Sequence, residues 1–339
     1  MTQILTIFWD SYRLLTAKKL FWVALGFSIL IALLYASVSI GEDGISFLFG
    51  AYSLDGDGVE MPASLAQYLY LTTFTDVLVP FWLGLFAIVL ALISVCSVFP
   101  NFLEGGSIDV AVSKPISRVT LFFTKYVSSL LFVGIQVFVF SLIVFVAFGL
   151  RMESWNFGIF WAVPLIVFVF SLIYSVAVFT AVWTKSTLLS LLMAFLIWGV
   201  SWGMQVAESW TYKMAYTIPS SGLQVDLATG ETEQSDTPQE VDSGLAKLHS
   251  GIKFVAAPLP KTRDATYLLK TKIKINGKDL TQKGAFLADG EDDEFTKNTL
   301  KAEEDYENRH SDSYVIGTSL AFEAVILSLA CFIFVRRDY

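Results

Sequence analysis

The sequence predicts an all-α polytopic membrane protein: six transmembrane helices, both termini cytoplasmic, and a small mixed α/β extracytoplasmic insert between helices five and six. Three observations predict it. Of the 339 residues, 55% are apolar and only 16% are charged, where a soluble domain carries about 25% charged residues. The apolar residues come in long blocks rather than in helical or strand stripes, as membrane spans require. Lys and Arg gather in alternate short loops, which orients the spans.

The segment 1–19 reads as an amphipathic cytoplasmic helix. Ile4, Ile7, Phe8 and Leu15 can share one face, with Asp10, Arg13 and Lys18 largely off it, so it suits the membrane interface. The spans follow as Leu20–Ile40, Val77–Phe99, Val127–Leu150, Phe160–Trp183, Thr187–Ala207 and Tyr314–Val335. Each can cross ~30 Å of hydrocarbon at ~1.5 Å per residue. Only Thr184, Lys185 and Ser186 separate the fourth from the fifth, which implies a tight helical hairpin. Residues 20–207 thus hold five spans, and 314–339 the sixth with its tail.

Arg13, Lys18 and Lys19, then Lys114, Arg118 and Lys125, then Lys185, and finally Arg336 and Arg337 mark the cytoplasmic side. The loop from Gly41 to Asp76 has no Lys or Arg but carries Glu42, Asp43, Asp55, Asp57, Glu60 and Asp76. The long polar segment 208–313 falls on that opposite side, and at its length its charges do not set orientation. Within it, LLKTKIKINGKDL alternates and meets Asn276-Gly277, a hairpin signal. EDDEFTKNTLKAEEDYENRH reads as a polar helix leading into the last span. GLQVDLATGETEQSDTPQEVDSG is poor in apolar residues.

No residues make a catalytic set. His249 and His310, the two histidines, have no second His, Cys or acid at metal-ligand spacing. Cys96 and Cys331 fall inside apolar runs, so no disulfide framework is implied. No Gly-rich phosphate loop ends in Gly-Lys-Ser/Thr, so any ATP and Mg would be bound by another chain, and this chain needs no cofactor of its own. No basic patch suggests nucleic acid. Glu323, near mid-depth of the last span, is a candidate for a substrate path, with Gln136 beside it as a weaker one; hydrogen bonding between helices is the alternative for both, and for Gln205. Gly199 and Gly203 form a GxxxG in the fifth span, a face for a second copy or for packing within the chain.

The stretch EGGSIDVAVSKPISR, Glu104 to Arg118, is the most structured polar segment between spans. Pro100 should stop the second span. Gly105 and Gly106 allow a turn, Ser107 is an N-cap, and Asp109 and Lys114 suit the two ends of a short helix. Pro115 ends it, Ile108 and Val112 share one side, and Ser117 can cap the next helix. A short helix held by two spans is a handle through which force on it reaches both.

This stretch, followed by LFFTK ending at Lys125, resembles the signature of ATP-binding-cassette type-2 exporter permeases. The likeness is closest to the branch that includes the permease of the nitrous-oxide-reductase maturation system. RLLTAKKLFW from Arg13 and FVRRDY at the C-terminus agree with it, and PLPKTRD, Pro258 to Asp264, resembles a Leu-Pro segment often found between spans five and six. The resemblance implies a bacterial inner-membrane subunit that pairs with a second permease subunit above two cytosolic ATPases. Glu104, Gly106, Ile108, Asp109, Val112, Lys114, Pro115 and Arg118 would dock on the ATPase as a coupling helix. The seam between permease subunits would lie near spans one, two and five. The insert is longer than in many members, which leaves either export of a substrate or mechanical work on an extracytoplasmic protein as the output. Two rival functions are an ion-coupled secondary transporter acting through Glu323, and a membrane-anchored scaffold whose outer segment binds envelope proteins.

Overall fold

The computed structural model describes residues 13, 16, 19–41, 44–48, 51–55, 62–103, 116–221, 223–225, 232–234, 243–287 and 294–337. Six helices in it are long and apolar enough to cross a membrane. The expected interfacial helix over residues 1–19 falls almost wholly outside the described residues.

The first helix, α1 (Lys19–Ala36), is shorter than its apolar run, because the chain turns into a strand at Ser39. Three strands, β1 (Ser39–Gly41), β2 (Gly44–Phe47) and β3 (Tyr52–Asp55), pair antiparallel in the order β1-β2-β3. Sequence reasoning took this stretch as an acidic loop.

Helix α2 (Ala63–Leu103) begins 14 residues before the expected Val77. Gln67, Tyr68, Thr72 and Thr73 made this stretch look like a loop, yet Tyr68, Tyr70 and Leu71 are buried in the core. Between Phe74 and Ala87, around Pro80, the helix opens to wider π-type turns; proline donates no backbone bond, and widening re-partners the freed carbonyls. Pro100 does not end this helix. The break comes four residues earlier, at Cys96 and Ser97, and Pro100 sits inside the closing turn Val98–Leu103. The physical reason is the same: an α-helical bond from residue 100 would have run to the Cys96 carbonyl, so the ladder is lost there rather than at the proline.

Helix α3 (Arg118–Met152) is 35 residues long and opens on Ser117, whose hydroxyl accepts from the Thr120 N–H at 3.1 Å, the expected cap. Helices α4 (Ala162–Thr184) and α5 (Thr187–Tyr212) form the expected tight hairpin. Lys185 adopts a left-handed φ of 56°, and the Ser186 hydroxyl caps α5 through the Leu189 N–H. The helical run of α5 continues to Ser220, so the segment 208–313 starts as a prolongation of the fifth span rather than at a boundary.

Helix α4 is the centre of the bundle. It is apolar all round, 83% of its apolar stretch is buried, and α3, α5 and a last helix surround it. Helix α5 is the reverse, with 17% of its apolar stretch buried. Stacked rings of Phe170, Tyr174 and Tyr126 line the α3–α4 contact.

Beyond α5, β4 (Leu223–Val225) pairs with β5 (Thr232–Gln234). Helix α6 (Ser243–Ala256) lies along α5, and α7 (Thr262–Lys272) follows a short turn. The predicted hairpin is present only as β6 (Lys274–Ile275) and β7 (Lys278–Asp279) around Asn276-Gly277, both at positive φ. Its expected N-terminal arm is helical, because Ala265, Leu268 and Leu269 repeat at helical spacing and bury against α2 and α4. A four-residue helix, α8 (Gly284–Leu287), precedes the expected polar helix α9 (Glu294–Glu307), and α10 (Asp312–Arg336) is the last span.

Side-chain bonds gather the helix ends into two sets. At one end, Arg118 donates to the Val335 and Arg337 carbonyls at 3.0 Å each, and Arg337 donates to the Val182 and Trp183 carbonyls at 2.7 and 2.9 Å. Each arginine thus answers last-turn carbonyls that the helix leaves unpaired. At the other end, Lys270 of α7 stands 2.8 Å from both Asp76 of α2 and Glu307 of α9. Asn156 donates to the Lys274 carbonyl at 2.9 Å, and at Gly158 an added Cβ would lie 2.8 Å from the Lys272 carbonyl. The α7–β6 junction therefore sits directly on the α3–α4 turn.

Burial alone would lower the Lys270 pKa, but Glu307 and Asp76 outweigh it and the pKa is raised. Replacing Lys270 with Met leaves buried Glu307 without its closest cation, and unfolding in detergent should show a loss of about 3 kcal/mol. Lys272→Met, which removes a half-exposed pair with Asp312, should cost under ~1 kcal/mol. Equal losses would contradict the assigned roles.

Candidate functional site

Of the residues implied in docking, Glu104, Gly106, Ile108, Asp109, Val112, Lys114 and Pro115 lie outside the described residues. Arg118 is placed, and its guanidinium is engaged with the end of α10 as described above. Glu323 is buried between α3, α4 and α10. Its two carboxylate oxygens accept from the Tyr126 hydroxyl at 2.7 Å and the Ser171 hydroxyl at 3.1 Å. Gln136 lies apart from it, its amide reaching the Phe21 carbonyl of α1 at 3.5 Å. The two are not brought together. Gly199 and Gly203 are exposed on α5, and a Cβ on either would meet nothing within 4 Å.

The most concentrated chemistry lies elsewhere, where α5 meets the α6–α7 turn and the start of α10. Gln205 fixes that turn. Its amide nitrogen donates to the Pro260 carbonyl at 3.1 Å, and its amide oxygen accepts the Arg263 and Asp264 backbone N–H groups at 2.9 and 3.3 Å. Those two N–H groups belong to the first turn of α7, where no intrahelical partner exists. Ser201, one turn earlier, donates to the same Pro260 carbonyl at 2.5 Å, and the Lys261 N–H donates to Ser319 of α10 at 2.9 Å.

Around this pin, six ionisable side chains are buried together. Asp264 accepts from Arg309 at 2.8 Å and faces His310 Nδ1 at 2.9 Å. Glu208 of α5 stands 3.5 Å from Arg309, 3.6 Å from His310 and 3.8 Å from His249. The Lys261 ammonium donates to the Ala256 carbonyl at 2.6 Å. Two carboxylates, Asp264 and Glu208, balance one guanidinium and one ammonium, as burial demands. Burial would raise the Asp264 pKa, but the His310 hydrogen bond and the Arg309 charge hold it below the usual carboxylate range. Burial lowers the pKa of His249, against the pull of Glu208, and likewise lowers that of Lys261, against Asp264 and Glu208.

Sequence reasoning found no partner for either histidine at a spacing that would build a metal site, and the acids that meet them in the fold, Glu208 and Asp264, are distant in sequence from His310. Glu208 and Arg309 are 101 positions apart, Asp264 and His310 46. The one local signal was the PLPKTRD segment, which supplies Pro260, Lys261, Arg263 and Asp264. Among the described residues no group of three or more His, Cys, Asp or Glu side chains could hold a metal ion. No family model, no curated protein and no solved structure matches this chain.

The cluster acts as a charged latch between α5, α7 and α10, and its pH dependence has a definite sign. His249 and Asp264 both have folded-state pKa values below their ordinary ones of 6.5 and 3.8. Each therefore stabilises fully above its ordinary pKa, and that stability is lost as pH falls below it. Melting in detergent should weaken below pH 6.5, and His249→Gln should flatten the part of the slope nearest that value. Asp264→Asn should lose about 3 kcal/mol at pH 7. A slope unaffected by His249→Gln would remove that residue from the latch.

Proposed function

We propose that this chain is the membrane-spanning permease subunit of an ATP-binding-cassette exporter, lying in a bacterial inner membrane with both termini cytoplasmic and the 208–313 segment outside. The observation that carries the reading is the setting of the segment 104–117. It hangs between the end of α2 and the start of α3, and its last neighbour, Arg118, is bonded to the end of α10, which Arg337 bonds in turn to the end of α4. A push that arrives at Arg118 is passed to the end of α10 and from there to the end of α4. The segment also carries the Ser-Lys-Pro-Ile-Ser-Arg core that resembles the coupling helix of type-2 exporters.

In this reading two cytosolic ATPase subunits bind ATP and Mg, and their closure displaces the segment from Glu104 to Arg118. Ile108 and Val112 are the packed anchor and Asp109, Lys114 and Arg118 the charged rim that selects the partner. A second permease subunit covers the open α5 face at Gly199 and Gly203, where two backbones can approach closely. The displaced helices then expel a substrate or rearrange the outer segment against an envelope protein. An ion-coupled route through Glu323 is served less well, since both carboxylate oxygens are engaged by hydroxyls inside the bundle. A passive anchor leaves this segment without a use.

The test is capture of tagged chain from native membranes. Wild type should bring down Mg-dependent ATP hydrolysis, and Ile108→Glu should lose it by roughly tenfold or more, the weight of one interface anchor, at an unchanged gel-filtration profile. Full retention of hydrolysis by Ile108→Glu, or none captured by wild type, would overturn the reading.

A further inference from the structure

Two atoms of the latch are left over by the bonds already described, and they face each other. The side chains of Glu208 on α5 and His310 at the head of α10 are only 4% and 8% exposed. Glu208 Oε2 is 3.5 Å from Arg309 Nε, and His310 Nδ1 is 2.9 Å from Asp264. The remaining atoms, Glu208 Oε1 and His310 Nε2, are buried and have no hydrogen-bond partner among the described residues. They stand 3.6 Å apart, too far for a direct hydrogen bond. Buried polar side-chain atoms in folded proteins are nearly always paired, with protein or with ordered water.

Both side chains line one cavity of about 10 Å³, together with Gln205, Ala256, Lys261 and Tyr314. That volume takes a single water and nothing larger. The chemistry of the lining agrees. An anion there would meet the Glu208 and Asp264 carboxylates, while the Lys261 ammonium is already bonded to the Ala256 carbonyl at 2.6 Å. A metal ion needs a set of ligands, and among the described residues no group of three or more His, Cys, Asp or Glu side chains could supply it. Water suits both atoms. It can donate one hydrogen to the Glu208 oxygen and use its second hydrogen or a lone pair on Nε2, whichever role that nitrogen plays. Two hydrogen bonds of about 2.8 Å also span a 3.6 Å separation without strain.

We propose that this cavity is a specific water site, in which one water donates to Glu208 Oε1, bonds His310 Nε2 and so joins α5 to the head of α10. The inference stands on the latch alone and does not rest on the transport reading. The latch then has two kinds of joint. Asp264 of α7 meets Arg309 and His310 directly, whereas Glu208 of α5 meets His310 through a water. That water is a structural member of the cluster, since it satisfies the two atoms that no side chain satisfies.

A crystal structure of the unmodified full chain, at a resolution that shows single waters, tests this together with the metal content of the same preparation. One density peak should stand at about 2.7–3.0 Å from both Glu208 Oε1 and His310 Nε2, and the protein should carry no stoichiometric metal. Three results would overturn the site. The two side chains could close to a direct hydrogen bond with no peak between them. A peak could be bonded to only one of the two. Or the peak could lie at about 2.0–2.2 Å from the nitrogen and the oxygen, with one equivalent of zinc or another metal in the preparation, which would make the pair metal ligands instead.

Discussion

The amide of Gln205 is the interaction on which the upper half of the molecule depends. Irregular backbone beside an apolar helix is tolerated only when its polar groups find protein partners. The α6–α7 turn has that problem, with a proline carbonyl and two free N–H groups facing α5. Gln205 answers on both counts, donating to Pro260 and accepting from Arg263 and Asp264. Once that turn is fixed, Asp264 is fixed, and Arg309 and His310 then have a carboxylate to meet at the head of α10.

The two ends of the bundle solve the same problem in different ways. At the Arg118 end, arginines bind backbone carbonyls at helix C-termini, and the bonds join one helix end to the next. At the Glu208 end, the joints are ion pairs between side chains, buried and mutually neutralising. The first kind joins a side chain to backbone carbonyls. The second contains histidines and carboxylates and weakens in acid. Between them α4, buried on every side, supplies the rigid post against which the outer helices lean.

Much of the fold was legible because apolar runs near 20 residues have one stable use. All six spans were found, as were the Lys185 turn, the Ser117 cap and the Asn276-Gly277 turn. What was missed has physical causes. Pro100 marks the place where a hydrogen bond is lost, but the loss falls at Cys96, one helical turn away. The start of α2 was hidden by Tyr68 and Tyr70, residues that bury well despite their polar hydroxyls. Helix α7 alternates in part, and only tertiary contact with α2 and α4 chooses its helical period. Of the site, single polar residues such as Glu323 were conspicuous as violations of an apolar pattern. The latch was not, because Glu208, Asp264 and Arg309 each look ordinary in a polar stretch and meet only after α6 and α7 have folded back on α5.

The central claim is that the α6–α7 turn is held to the bundle through Gln205, and amide hydrogen exchange on a Gln205→Leu variant tests it most directly. The substitution keeps the side chain's bulk and removes its donor and acceptor. The account predicts that exchange across Thr262–Lys272 accelerates roughly 10- to 100-fold, the equivalent of ~1–3 kcal/mol for unsatisfied buried groups, while α4 keeps its protection. Unchanged exchange in α7 would contradict it.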